Sequence, residues 1–247
     1  MPRPDGRAAN ALRSVEMIAN FHRPSEGSVL YRAGGTVVLC TASVDEKVPL
    51  FLEGKGQGWV TGEYQMHPRA NPRRQERDGR GKGLGGRTQE IQRLVGRALR
   101  AAVDMRRLGV RTVTIDCDVL EADGGTRTAS VTGGFVALAL ALAKAGVRAV
   151  REPVAATSVG LLDESGLALD LCYLEDSRAR VDLNVVATAS GKIVEIQGTA
   201  EGAPVERKEI DAMVDLALQG VTRLAAEQRA VLSRAGVDLD AILAPAS

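Results

Sequence analysis

The sequence predicts an α+β protein, with helices packed on mixed β-sheets and βαβ units among them. Two observations carry this reading. Short β-type runs cluster in two blocks, one before and one after the middle of the chain. Helical patterns with three- and four-residue spacing separate and close those blocks. The chain has 247 residues, 45% of them apolar, enough to bury a sizeable core in one large domain or in two small ones sharing a core, and a single domain spanning 1–247 is expected.

Taken in order, Ser28 to Ala33 and Thr36 to Val44 read as strands joined by a hairpin at Gly34 and Gly35. A glycine-rich turn from Gly54 to Gly58 leads into the strand-like Trp59, Val60 and Thr61. From His67 to Thr88 the chain carries seven basic and two acidic residues among Pro and Gly, with no apolar period, so it reads as a basic loop. Ile91, Leu94, Val95, Ala98, Leu99 and Ala102 then mark a helix whose polar face holds Arg93, Arg97 and Arg100. Arg111 to Leu120 is a strand. A helix from about Ala129 to Lys144 is apolar nearly all round, which predicts a central, buried element. Val154 to Leu162, Gly166 to Tyr173, Asp182 to Thr188 and Lys192 to Gly198 read as strands. A last helix starts near Val205 and passes Leu224, and residues 231–247 read as a C-terminal tail. The two β-rich blocks echo each other too weakly to define a repeat.

Composition excludes several functions. The net charge is only +1, so any attraction for nucleic acid must come from local clusters. His22 and His67 are the only histidines; a two-histidine zinc motif is impossible, and neither lies in a setting that suits a hydrolase triad. Aromatics at 3% argue against a base-stacking platform. Cys40, Cys117 and Cys172 sit in apolar, strand-like runs without a CxxC pair, which predicts buried free thiols in a reducing cytosol. No apolar run approaches the roughly 20 residues that span a bilayer, and the first residues lack the apolar stretch of a secretory signal. A cytoplasmic protein without a membrane partner is expected.

Three segments could carry chemistry. Gly85-Gly86-Arg87-Thr88 opens a helix, where glycines admit a ligand, free N–H groups favour an anion, and Arg87 adds a phosphate-gripping fork. The plainer alternative is a glycine linker with a Thr N-cap. Asp123-Gly124-Gly125-Thr126-Arg127-Thr128 repeats this pattern, so two such starts suggest two arms around one phosphate-bearing ligand. Its plainer alternative is an ordinary strand-to-helix turn. In the third segment, Glu175 to Asn184, Asp182 opens an apolar strand with Asn184 on the same face. Two aspartates there suit a Mg²⁺ with several waters, or a proton donor to a leaving oxygen. The alternative is an acidic turn paired with Arg178 and Arg180. A rival motif, Gly81 to Thr88, matches a nucleotide-binding P-loop except for Arg87 in place of lysine, but a P-loop must follow a buried strand and this one follows a basic loop.

The segments together resemble the ribonuclease PH family almost end to end. Arg3 to Ala8, Glu26 to Leu30, Val38 to Val44, Gly54 to Thr61, Gly85 to Leu94 and Arg97 to Asp104 carry the resemblance in the first half. Asp116 to Ser130 is the most distinctive stretch, and Leu174 to Ser177, Asp182 to Val186 and Glu195 to Gly202 complete it. The resemblance implies a ribonuclease PH-type fold and a phosphorolytic 3′→5′ exoribonuclease of the tRNA nucleotidyltransferase class. Such an enzyme trims tRNA precursors, acts in tRNA and rRNA processing, releases nucleoside diphosphates with inorganic phosphate as co-substrate, and runs reversibly. It implies a homohexameric ring, a trimer of dimers. By residue, it implies phosphate binding by Arg87, Gly125, Thr126 and Arg127, catalytic and Mg²⁺-holding carboxylates at Asp176 and Asp182, and RNA guidance by Arg69, Arg73, Arg74 and Arg77. Phosphate is already an anionic nucleophile, so no general base is required, which agrees with the scarcity of histidine. A non-catalytic ring subunit is the competing expectation; such a subunit would lack the phosphate arginines or the aspartates, and this chain keeps both.

Overall fold

The structure, a computed structural model, describes residues 3–80, 83–163 and 166–245. The first half builds a five-stranded sheet from β1 (Val15–Ala19), β2 (Gly27–Ala33), β3 (Thr36–Asp45), β4 (Trp59–Met66) and β5 (Thr112–Glu121), in the order β1-β2-β3-β5-β4. β2 and β3 form the expected hairpin, closing at Ala33 opposite Thr36. β4 runs parallel to β5, and α1 (Gly86–Ala101) with the short α2 (Met105–Leu108) makes the crossover between them.

After β5 comes α3 (Thr126–Lys144). The second half is a purely antiparallel sheet, β7 (Gly166–Leu169), β6 (Val154–Leu162), β8 (Val181–Thr188) and β9 (Ile193–Ala200), in that order. The one-turn α4 (Tyr173–Asp176) interrupts it, and α5 (Arg207–Arg234) follows. α3 lies between the two sheets, packed on β2 and β3 on one side and β6 on the other. α5 covers the opposite face of the second sheet, where Met213 and Ala217 meet Val181, Leu183 and Val185. Gly27 permits the closest approach of α3: a Cβ there would collide with the Ala137 carbonyl and lie 2.7 Å from the Ala141 nitrogen. Gln228 of α5 ties the layers together, donating to the carbonyls of Thr132 and Val154 at 2.9 Å each.

Several expectations change. β1 is not apparent in the sequence pattern, because five residues of mixed polarity carry no alternation; pairing with β2 makes it a strand. The strand expected from Gly166 to Tyr173 pairs with β6 only as far as Leu169. Asp170 then takes a left-handed φ of 56°, and Cys172 caps α4 rather than lying in a strand. Leu171 and Cys172 are buried without being extended in a ladder, and their apolarity misleads. α3 starts at Thr126, one turn before Ala129, and is long and apolar enough by length and composition to cross a membrane, contrary to the expectation that no run approaches that length. Its Thr, Ser and Gly positions disguise the run, and 89% of its most apolar window is buried inside the protein. All three cysteines are free and buried.

Residues beyond 230 pack into the main core: Val231, Leu232, Leu239 and Ile242 are all buried there, and Val150 bonds Ile242 and Ala244 through the backbone. Leu232→Ala should therefore destabilise the protein by about 2–5 kcal/mol, the range for a fully buried leucine, measured by urea unfolding. A change within 0.5 kcal/mol would show that this segment is dispensable.

Candidate active site

The site assembles where three chain segments meet. The first is the turn before α3. Gly124 and Gly125 have φ of 76° and 65°, and Gly124 lies so close to the Leu171 carbonyl and the Tyr173 nitrogen that a Cβ would come within 2.7 and 2.9 Å of them. Asp123 fastens the same contact, its Oδ1 accepting the Tyr173 N–H at 3.1 Å. The glycine turn is thus docked directly on α4, which carries Asp176. Thr126 is fixed by Tyr64, hydroxyl to hydroxyl at 2.9 Å.

Arg127 follows on the first turn of α3. Its Nη2 donates to Glu90 Oε2 of α1 at 2.8 Å, and Glu90 Oε1 accepts Gln197 Nε2 of β9 at 3.0 Å. This chain leaves Arg127 Nε and Gln197 Oε1 buried without a partner among the described residues. An orphaned guanidinium N–H costs desolvation energy unless an acceptor arrives. Phosphate is a suitable acceptor, so the residues present fit a bound anion.

The second segment is the start of α1. Arg87 lies exposed on its first turn. Thr88 is not the N-cap; Gly85 is. Asp78 closes the basic loop back onto this point, accepting the Gly85 N–H at 2.9 Å and the Thr88 hydroxyl, contacts that hold its carboxyl below the usual range. Arg69, Arg73, Arg74 and Arg77 are exposed on the loop that Asp78 anchors, outside the walls of the cleft described next. Gly81 and Lys82 of the P-loop-like stretch lie outside the described residues. No buried strand leads into α1, so the P-loop context is absent among the described residues.

The third segment carries the carboxylates. Asp176 and Asp182, with Ser177, Arg178 and Arg180, line an open cleft of about 650 Å³. Arg180 does not neutralise the aspartates: its partners are Glu209 at 2.8 Å and Asp163 at 3.8 Å. Although Asp176 opens onto the cleft, desolvation by its surroundings and then the charge of Asp182 push its carboxyl above the usual range; Arg127, Arg87 and Arg13 pull the other way. Arg87, Arg127 and Asp182, from segments up to 95 residues apart, thus lie near enough for their charges to act on Asp176. Asn184 is buried on the face of β8 that Asp182 shares, and across the ladder it is in register with Gln197. Two like charges at the cleft, balanced by a single set of arginines, suit one divalent cation with few protein ligands. Tyr64, Glu90 and Gln197 carry no sequence signal of their own: one lies in an apolar strand, one among helix polars, one on an edge strand.

Comparison with known proteins defines the family and the fold. The chain belongs to the 3′ exoribonuclease family: RNase PH domain 1 matches residues 11–144 and domain 2 matches residues 152–220. Its fold is the RNase PH-type fold, as the sequence predicts. Among solved structures it is similar to rice (Oryza sativa) Rrp46, at 16% identity over 93% of this chain and 100% of that one, with a TM-score of 0.76. It is also similar to a chain of an Archaeoglobus fulgidus exosome with RNA bound to the active site, at 22% identity over 91% and 92% with a TM-score of 0.75. An archaeal exosome core chain matches at 21% identity over 91% and 90%, TM-score 0.72.

The raised Asp176 carboxyl has a stability consequence. Its charged form is disfavoured in the fold, so the cost is present at neutral pH and disappears as pH falls below the unfolded value near 4. Asp176→Asn should melt at a higher temperature than the parent protein at pH 7, and the two Tm values should converge towards about pH 4. An Asn variant that melts lower at pH 7 would mean that Asp176 is stabilised by its surroundings.

Proposed function

We propose that this chain is a cytoplasmic, phosphate-dependent 3′→5′ exoribonuclease that trims the 3′ ends of tRNA precursors. It releases nucleoside diphosphates, and the reaction runs backwards when those are in excess. The observation that carries this reading is the orphaned Arg127 Nε beside a pair of carboxylates, in a chain of the 3′ exoribonuclease family. Arg127 and Arg87 hold inorganic phosphate against the last RNA phosphodiester, and the turn at Gly125 and Thr126 supplies helix-start N–H groups. A phosphate oxygen bonds to the phosphorus as the bond to the 3′-oxygen breaks. Asp182 lies at that leaving oxygen, where its carboxyl gives a proton or, as a carboxylate, would hold the cation. Asp176 and Asp182 would hold Mg²⁺, which when bound supplies positive charge to the phosphoryl oxygens.

RNA is guided by Arg69, Arg73, Arg74 and Arg77 through its backbone rather than its bases. The protein works as a homohexameric ring, in keeping with its likeness to exosome chains and with the exposed Leu50, Phe51, Tyr173 and Leu174, which offer apolar surface for neighbours.

The test is 3′-extended tRNA with and without phosphate. Nucleoside diphosphates should appear only with phosphate. Monophosphates in phosphate-free buffer would mean hydrolysis, and no shortening under either condition would favour a non-catalytic ring subunit. Asp182→Asn should lower kcat by about 10²-fold, the scale of a lost catalytic acid, without rescue by extra phosphate. Arg127→Ala should raise the phosphate KM by about 10- to 100-fold, as expected for one lost charge-assisted bond.

The basic loop makes a separate prediction. Replacing Arg73, Arg74 and Arg77 together by Ala should weaken binding of full-length RNA and flatten its salt dependence by up to about three counterions. Trimming of a trinucleotide should change little. Equal loss on short and long RNA would assign the loop a structural role.

A further inference from the structure

The segment from Arg3 to Arg13 takes no part in the chemistry above, yet its arginines reach that site from behind. Arg3 is 6% exposed and grips Glu175 with both arms of its guanidinium, Nε to Oε1 at 2.7 Å and Nη2 to Oε2 at 2.8 Å. Glu175 Oε2 also accepts the N–H of Cys172 at 3.0 Å, closing the cap of α4, whose last residue is Asp176. Arg13 is 5% exposed and grips Asp170 in the same way, Nη2 to Oδ1 at 2.7 Å and Nε to Oδ2 at 3.1 Å. Its remaining arm, Nη1, donates to the Asp123 carbonyl at 2.7 Å, where the glycine turn begins. Arg7 closes the gap, donating to the Asp170 carbonyl at 3.1 Å.

Buried ion pairs contribute little net stability, because desolvation offsets their attraction. Two fork-shaped pairs side by side are therefore a costly way to hold a terminal segment. They are an effective way to fix angles, since each bidentate contact admits one orientation. They also sit where regular structure fails: β7 has ended, Asp170 holds its left-handed backbone, and α4 is a single turn too short to hold itself.

We infer that residues 3–13 form a positioning strap: Arg3 sets the turn that carries Asp176, and Arg13 sets that turn together with the glycine turn that carries Arg127. This rests on the reading of the cleft as a phosphorolytic site. Arg3 and Arg13 are positioning residues, and their different reach gives them different signatures. Arg3 touches the acid turn and the carbonyls of its own strap but not the glycine turn, so Arg3→Ala lowers kcat about tenfold or more, the scale of a displacement under 1 Å, and leaves the phosphate KM within twofold of the parent. Arg13 touches both turns, so Arg13→Lys, which keeps the charge and loses the fork, lowers kcat and raises the phosphate KM together.

Amide hydrogen exchange on the free protein provides a readout independent of activity. Arg3→Ala should speed exchange at 172–177 and spare 123–128; Arg13→Lys should speed both. If Arg3→Ala fails to fold, Arg3→Lys is measured in the same way, with smaller effects in the same direction. A folded Arg3 variant with parental kcat, or with exchange raised evenly across the second sheet, overturns the inference. Asp182→Asn is assayed alongside. If it is slow while the Arg3 variant is not, the strap alone is wrong. If Asp182→Asn keeps the parental rate, the reading of the cleft has failed and the strap falls with it.

Discussion

Everything near the cleft depends on the burial of α3 between two sheets. Sixteen of its nineteen residues are buried, so its axis and rotation are set by packing against β2, β3 and β6 together. A helix held so firmly has a fixed first turn. Thr126 and Arg127 inherit that rigidity, and the glycines before them let the chain leave β5, turn sharply and touch α4 on the way. Neighbours meet most of the polar groups this arrangement traps: Thr132 Oγ1 exchanges bonds with Ala156 of β6, and Gln228 Nε2 reaches in from α5 to the Thr132 carbonyl, although Gln228 Oε1 is left without a partner among the described residues.

The site itself alternates charge in space. Arg127 is held by Glu90, Glu90 by Gln197, and Asp176 feels the charges of Asp182, Arg127 and Arg87 together. None of these contacts saturates its partner. Arg127 keeps an unused N–H, and Asp176 remains in a setting that resists its own charge. A ligand could supply the partners that Arg127 and Gln197 lack. An anion and a cation, or an anion and a proton, would complete the site.

The Asp78 contact gives the basic loop a comparable role in the architecture. A carboxylate folded back on the start of α1 keeps the arginine-rich stretch from wandering, while the arginines themselves stay exposed. The loop therefore returns to the start of α1 close to Arg87.

Much of this was legible in the residues. The hairpin at Gly34 and Gly35, the apolar stripe of α1, the buried nature of α3, the exposed basic loop and the two glycine-Arg-Thr starts all follow from local pattern, because turn chemistry and periodicity act within a few residues. The inventory of groups suited to phosphate and to a metal was equally local. What the sequence could not decide was pairing across distance. Arg180 turns to Glu209 rather than to the aspartates; Asp170 breaks a strand because Arg13, 157 residues away, holds its carboxylate; Glu90 and Gln197 join a site that neither announces. Which carboxyl is raised, which guanidinium keeps a free N–H and which turn is strapped are properties of distances between segments. Only the tertiary structure sets those distances, because burial and Coulomb attraction act through space and not along the chain.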